Sequence, residues 1–539
     1  MACKTMQDWP LRVMRLVDHA AREHGNREIV TAWAGGAITR TNWREVAHAA
    51  RKMAQALEAD GIKPGERVAT LAMNHSAHLT GWYGAIGMGG VLHTLNPRLF
   101  DAQLEFIVNH AGNRILFYDY VFTDLVERLK PRWPTIERYI CFDPPQDDAS
   151  SFAQWLAPHD GDYLWVDGDE NDPCALCYTS GTTGNPKGVL YTHRSTMLHA
   201  MAEVAPDVFD MSTRAVVMPI VPMFHANAWG IPWAAPLTGC KLVLSADYRP
   251  AELCSLFRAE GVTHSAGVPT VWLGMIDHIE RSGETLVALK SVTIGGSATP
   301  RAMIEWFRAR GVKVGHAWGM TEMSPIGTCG APNADWDAMS DAEQIDYTTR
   351  QGRVPFGVEL RTVDDDGGLL PRDGLSSGRL QARGPWVIRR YYREAADAVG
   401  PDNWFDTGDV AALHPDGTMQ ITDRAKDVIK SGGEWISSID LENEAIGCPG
   451  VAEAAAIGIA HPKWDERPLL VVVRAAGSNV TPAEIRTHLA TRVAKWWLPD
   501  GIEFVDELPH TATGKLSKMT LRKQFAGYRF ADAGELVGR

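Results

Sequence analysis

The residues Tyr178-Thr179-Ser180-Gly181-Thr182-Thr183-Gly184-Asn185-Pro186-Lys187-Gly188 gather hydroxyls, glycines and one lysine directly behind an apolar run. Glycine lets the backbone turn tightly and approach a ligand, hydroxyls and N–H groups bind phosphate oxygens, and lysine adds positive charge. The stretch reads as a phosphate loop, and the chemistry it suggests is nucleotide handling. It is not a Walker A loop: Gly184 is followed by Asn185 and Pro186 before Lys187, where that motif needs Gly-Lys-Ser/Thr. A Gly/Ser/Thr-rich surface loop would explain the composition but not the ordered Pro-Lys-Gly ending.

The stretch resembles the signature of the adenylate-forming superfamily, which includes acyl-CoA synthetases, firefly luciferase and peptide-synthetase adenylation domains. Four further segments resemble that family's motifs in its order: Gly295-Gly296-Ser297-Ala298, His316-Ala317-Trp318-Gly319-Met320-Thr321-Glu322, Asp406-Thr407-Gly408-Asp409, and Asp423 through Ser437. Thr511-Ala512-Thr513-Gly514-Lys515 completes the resemblance near the C-terminus. Taken alone, a Trp-Gly and a Thr-Glu pair more often belong to a core and a helix cap, and a lone Thr-Gly-Asp is a turn.

The resemblance implies ATP, Mg²⁺ and CoA as the small-molecule partners. Thr179, Ser180, Gly181, Thr182, Thr183, Gly184 and Lys187 would hold phosphate, and Gly296, Ser297, Ala298, His316, Ala317, Trp318, Gly319, Met320 and Ile421 would line the AMP side. A broad ring such as Trp318 can stack on adenine, Asp409 offers two acceptor oxygens to the ribose diol, and Arg424 would contact ribose and phosphate. Thr321 would bond the α-phosphate, while Glu322, with Thr182, would hold Mg²⁺, a hard ion that favours oxygen ligands. Lys515 is the implied catalytic lysine, its charge brought between the acid's carboxylate and the α-phosphate. Lys426 is the implied hinge, and Lys430, Ser431, Gly432, Gly433, Glu434 and Trp435 the implied CoA side.

Pro222-Met223-Phe224-His225-Ala226-Asn227-Ala228-Trp229-Gly230 bears on the acid. Peptide-synthetase domains usually carry an aspartate after this phenylalanine; His225 in its place disfavours an amino acid substrate and, by resemblance, gates the passage to pantetheine or helps hold the carboxylate. His225, Trp229, Val268, Gly296, Trp318 and Gly319 are the expected acyl pocket, with Trp233 as a further bulky neighbour. The segment is similar to that of medium-chain fatty-acyl-CoA and 3-methylmercaptopropionyl-CoA ligases, with aryl acids as the alternative. A luciferase-like monooxygenase, a protein that loads a carrier protein and a non-catalytic nucleotide binder are the other classes; the last would need neither Lys515 nor Glu322.

These side chains need a scaffold, and 539 residues with 45% hydrophobic and 22% charged content suffice for two or more globular domains. Strand-like runs at Arg67–Met73, Arg114–Tyr118 and Tyr139–Phe142 alternate with helical stretches at Ala102–Asn109 and Val121–Leu129, after a helix over Leu11–Arg22 and another that Thr41-Asn42 precede and that runs to about Leu57. Ala215–Ile220, Lys241–Leu244, Val292–Ile294 and Lys313–His316 continue the strands, with helices at Ala251–Glu260 and Pro300–Arg310. Such alternation predicts α/β layers around a largely parallel sheet, with ligands beyond the carboxyl ends of the strands. After Trp386 the texture becomes charged and glycine-punctuated; strands at Ala454–Ile459, Leu469–Arg474 and Ile502–Val505 and a helix over Pro482–Lys495 then predict a compact unit. The expected organisation is a large N-terminal multi-layer α/β domain (1–424), a hinge (425–427) and a smaller mobile C-terminal α+β domain (428–539).

Lys and Arg total 53 against 66 Asp and Glu, a net charge of −13, so no general electrostatic case exists for nucleic acid or an anionic membrane. The N-terminus lacks an apolar h-region and no apolar run reaches spanning length, which makes a cytoplasmic location without integral membrane association the expectation. Eight irregularly spaced cysteines fit reduced, buried thiols, and Cys174-x-x-Cys177 lies in a strand-like run, where residues three apart point to opposite faces. A homodimer is the family-level expectation.

Overall fold

The computed structural model describes residues 5–143, 151–179, 185–424, 427–431, 434–510 and 516–530. Ser180, Gly181, Thr182, Thr183, Gly184, Lys426, Gly432, Gly433 and Lys515 therefore lie outside the described residues.

Instead of one largely parallel sheet there are two, and a third sheet that is antiparallel. The first has six strands in the order Arg138–Cys141, Asn113–Tyr118, Arg67–Leu71, Val91–Thr94, Pro173–Tyr178, Gly188–Thr192, parallel except for the last pair. The second has eight strands and runs Ile326–Cys329, Lys313–Gly319, Ser291–Ile294, His264–Gly267, Val216–Pro219, Lys241–Ser245, Glu28–Ala32, Ile38–Asn42, antiparallel only at its two edges. The splitting follows from packing. Both faces of a parallel sheet must be covered by helices, and the helices Trp43–Ala59 and Ser76–Gly87 carry buried residues towards both sheets, so that Trp43, Trp82, Ile29, Leu92 and Leu242 share one core.

Local signals set the element ends. Asn42 caps its helix by accepting from the Glu45 N–H, as Asn at that position should. The helices Pro250–Glu260 and Pro269–Ser282 both begin on proline and end on a left-handed glycine, Gly261 and Gly283. The helix expected over Pro482–Lys495 stops at Ala490 and gives way to a short 3₁₀ turn at Lys495–Trp497.

The third sheet, Glu359–Val363, Ser377–Arg383, Phe405–Leu413 and Met419–Arg424, is an antiparallel meander. Asp364 to Gly368 forms its first turn, the Gly368 carbonyl accepting from the Asp364 N–H. A last sheet is built only from strands after residue 428: Val451–His461 and Asp465–Arg474 form its long hairpin, flanked by Gly501–Phe504 and by Ile429–Ser431 with Glu434–Ile436. The helices Ser438–Ile446 and Pro482–Ala490 bury its one face, through Leu441, Ala445, Ile485 and Leu489, and Leu521 and Phe530 join the core on the other. Among the described residues no helix is long and apolar enough to cross a membrane. Cys174 and Cys177 are buried free thiols whose sulfurs meet different neighbours, Thr196 Oγ1 and Asn227 Oδ1.

Candidate active site

The described ends of the phosphate-loop segment, Tyr178–Thr179 and Asn185–Gly188, meet two antiparallel strands. Those strands, Pro173–Tyr178 and Gly188–Thr192, pair antiparallel with one register shift between Pro173 and Ala175, and Thr179 and Lys187 close the base: the Thr179 N–H donates to the Lys187 carbonyl at 2.9 Å, and the Lys187 N–H to Thr179 Oγ1 at 3.3 Å. Lys187 is exposed, with its ammonium 4.8 Å from the centroid of the Tyr391 ring. Tyr391 in turn donates its hydroxyl to Glu322 Oε1 at 2.9 Å. Burial and the adjoining Glu322 carboxylate push the Tyr391 hydroxyl pKa up, so it remains a donor. Nothing in the sequence marks Tyr391; only its place in space connects the lysine of one motif with the carboxylate of another.

The segment that carries Glu322 leaves the strand Lys313–Gly319 and is pinned by its backbone. Tyr191 donates to the Thr321 carbonyl at 2.7 Å, and the Ile388 N–H to the Glu322 carbonyl at 2.7 Å. Trp318 lies half-buried just before it, and its indole N–H donates to Asp409 Oδ2 at 2.8 Å. A Cβ on Gly327, on the neighbouring edge strand, would stand 2.3 Å from that indole, so the absence of a side chain there makes room for the ring. Asp409 sits on the strand Phe405–Leu413 opposite Arg424, while Ile421 lies on the same partner strand as Arg424.

His316 is buried beneath. Its Nδ1–H donates to the Thr349 carbonyl at 2.9 Å and Nε2 accepts the Thr299 N–H at 3.3 Å; burial pulls its pKa down to about 4, so the ring is neutral. Gln351 lies beside it and accepts the Ile421 N–H at 2.6 Å. Ala298, His316, Gln351 and Ile421 face Asp440 and Trp497 of the last unit across a cavity of about 480 Å³. Ser297 is exposed at its margin.

The expected acyl residues converge in part. A Cβ on Gly296 would touch Val268 Cγ1 at 3.2 Å and Trp229 Cζ2 at 3.8 Å. Trp233, by contrast, packs into the core, 4.9 Å from the Trp82 ring and edge-on to Tyr83. Ala226, Asn227, Ala228 and Trp229 all have positive φ, from 43° to 57°, and Gly230 follows at 91°, a single left-handed turn between His225 and the helix Ile231–Thr238. Asn74 steadies the entry to this turn: its buried amide donates to the Pro219 and Val221 carbonyls at 3.1 and 2.9 Å and accepts the Met223 N–H at 2.6 Å. One buried side chain thus ties the end of a strand in one sheet to the segment that leads to His225. On the expected CoA side, Lys430 is exposed and Ser431 accepts from Arg467 at 3.1 Å; of Glu434 and Trp435 only the strand backbone is described.

Comparison with known proteins now decides the family. The model of the AMP-binding enzyme family matches residues 17–392, and that of the AMP-binding enzyme C-terminal domain matches residues 440–515. The chain belongs to the AMP-binding enzyme family. It is 47% identical, over 96% of its length and 98% of the relative's, to a 3-methylmercaptopropionyl-CoA ligase of Ruegeria lacuscaerulensis. It is 45% identical to a medium-chain-fatty-acid–CoA ligase of Ectopseudomonas oleovorans, over 95% of both chains. A solved anthranilate CoA ligase in complex with anthranoyl-AMP shares the fold at a TM-score of 0.85 and 24% identity, covering 96% of this chain and 99% of its own.

Proposed function

We propose that this member of the AMP-binding enzymes is an AMP-forming acid:CoA ligase acting on a short- or medium-chain fatty acid or on 3-methylmercaptopropionate. The observation that carries the reading is the Trp318–Asp409 hydrogen bond, which fixes an aromatic face beside a carboxylate suited to a diol, the two surfaces that a bound adenosine needs. Relatives of 47% and 45% identity named for these acids give it its direction.

In the first half-reaction a carboxylate oxygen of the acid attacks the ATP α-phosphorus and the bond to pyrophosphate breaks. In the second, the CoA sulfur attacks the acyl carbonyl, AMP leaves and the thiol proton passes to solvent. Trp318 and Asp409 orient the nucleoside, Lys187 meets the outer phosphates, and Val268, Gly296 and Trp229 wall the acyl chain. The Glu322 carboxylate, with one oxygen held by Tyr391, suits a hard cation, and Mg²⁺ bound there supplies charge neutralisation at the phosphates. Lys515 serves the first half-reaction, Lys426 is the pivot between 1–424 and 428–539, and Lys430 through Trp435 meet CoA. A cytoplasmic location and a homodimeric state accompany this reading.

Pyrophosphate release with ATP and Mg²⁺ across a series of fatty acids, 3-methylmercaptopropionate, benzoate and cinnamate, with and without CoA, tests it. Release that selects one acid class and turns over only with CoA is the expected outcome. Lys515→Ala should lose on the order of a hundredfold or more in adenylation, from a charge aimed at the transition state, yet still convert supplied acyl-adenylate to thioester. Silence with every acid, or turnover indifferent to CoA, would overturn the proposal.

A further inference from the structure

Two helices on the outer side of the eight-stranded sheet bring together a cysteine, a histidine and a glutamate. Cys254 lies on the helix Pro250–Glu260 and His278 near the end of the helix Pro269–Ser282. Gly283, at φ 71°, turns the chain back so that Glu284 comes beside His278. One ligand atom from each of the three side chains lies within 4.8 Å of the others, the one such group of three among the described residues.

Two of the polar atoms involved, His278 Nε2 and Glu284 Oε2, are buried and lack a hydrogen-bond partner among the described residues. They stand 3.6 Å apart, too far for a hydrogen bond. Buried polar atoms normally find partners, so two that face each other across such a gap point to a group between them. Two ligands on one tetrahedral ion with bonds of about 2 Å stand about 3.3 Å apart, so a small closing movement from 3.6 Å would let both bind one ion. The other carboxylate oxygen, Oε1, faces Arg258 Nη2 at 3.3 Å, which orients the carboxylate and leaves Oε2 turned to the histidine. Cys254 is buried in the same helix, one turn before Arg258.

We infer that Cys254, His278 and Glu284 form a binding site for a Zn²⁺ ion, with a fourth position open to water. Thiolate, imidazole and carboxylate together suit a borderline-soft ion that accepts four ligands, and not Mg²⁺ or Ca²⁺. On binding, the Cys254 S–H bond breaks, its proton goes to solvent, and a sulfur–zinc bond forms; His278 binds through Nε2 with its proton on Nδ1. The site is structural in effect: it pins the two helices together about 15 Å along the second helix from Val268, at 1.5 Å per residue.

The test uses the full-length chain, stripped with a chelator and titrated anaerobically with Co²⁺ as the spectroscopic probe, then with Zn²⁺ in competition with a chromophoric chelator. Expected are one equivalent per chain, a near-ultraviolet thiolate-to-cobalt band, visible bands of four-coordinate intensity displaced by Zn²⁺, and a higher melting temperature with Zn²⁺. Cys254→Ser should abolish the thiolate band, and His278→Gln and Glu284→Gln should each weaken Zn²⁺ binding by about tenfold or more, since even outer ligand partners count for that much. Each of the three variants should gain less melting temperature from added Zn²⁺ than the wild-type chain does. Absence of the band, its persistence in Cys254→Ser through another cysteine, or Zn²⁺ affinity unchanged in the other two variants would overturn the inference.

Discussion

The indole N–H of Trp318 reaches a carboxylate 91 residues further along the chain, and that bond gives the site its sharpest residue-level prediction. Trp318→Phe keeps an aromatic face but leaves Asp409 Oδ2 without this donor. A hydrogen bond to a charged group contributes about 1.5–3 kcal/mol, so kcat/KM for ATP in adenylation should fall by about 10- to 100-fold, mostly as a raised KM for ATP, with the acid's KM little changed. Steady-state pyrophosphate kinetics check this; an unchanged KM for ATP would mean that the bond does not orient the carboxylate used by the nucleotide. Both residues were legible in the sequence as members of separate motifs. Their contact was not, because no local spacing encodes it. Tyr391 and Gly327 were invisible for the same reason: a tyrosine among charged turn residues and a glycine in a short strand acquire meaning only from the Glu322 carboxylate and the indole that lie against them.

At the scale of elements, the single left-handed turn from Ala226 to Trp229 is the least expected piece of backbone. Left-handed residues other than glycine cost free energy, and several in succession persist only where the surroundings hold them. Here the helix Ile231–Thr238 and the Asn74 amide hold the two ends. Gly230 closes the turn, and a Cβ there would stand 2.4 Å from Glu203 Oε2, a carboxyl that is fully buried and whose pKa burial raises well above the usual range. Gly230→Ala should therefore cost about 2 kcal/mol or more, from positive φ together with the clash. It should lower the melting temperature and shift the preferred acid chain length, because Trp229 walls the pocket. A variant that melts like the wild type with the same chain-length profile would show that the turn is not constrained in this way. The third sheet shows why other elements escaped the sequence. Its strands alternate buried with exposed positions, as in Ser377–Arg383, and glycines and charges interrupt the apolar pattern; this is the pattern of exposed turns as much as of a meander lying over a core. The strongly buried strand Ser291–Ile294 was found nearly to the residue, as Val292–Ile294, whereas of Lys313–Gly319 only Lys313–His316 was found, because burial falls off over its last three residues.

At the scale of the whole molecule, the large part and the last unit carry opposite responses to acid. Burial holds His78, His193 and His199 down to about 3 and His93 and His316 to about 4, all of them before residue 320. In the unfolded chain each would titrate near its ordinary value of about 6.5. As pH falls below that value the unfolded state takes up protons that the folded state refuses, so stability is lost on acidification, by roughly 1.4 kcal/mol per histidine for each pH unit until the folded pKa is reached. Asp440, in the last unit, has the opposite sign: burial raises its carboxyl to about 6, so the folded state binds its proton first and gains stability as pH falls through that value. The thermal transition of the large part should therefore move down markedly between about pH 7.5 and about pH 5.5, while that of the last unit moves less or rises, so that scanning calorimetry resolves two transitions at the acid end. His93, whose Nδ1 is paired to Asn113 while Nε2 has no partner among the described residues, offers the control. In His93→Gln the transition of the large part starts from a lower temperature, yet its pH slope is shallower by about one proton. A midpoint that does not change over this window, or an identical slope in the variant, would mean that these histidines are not neutral in the fold.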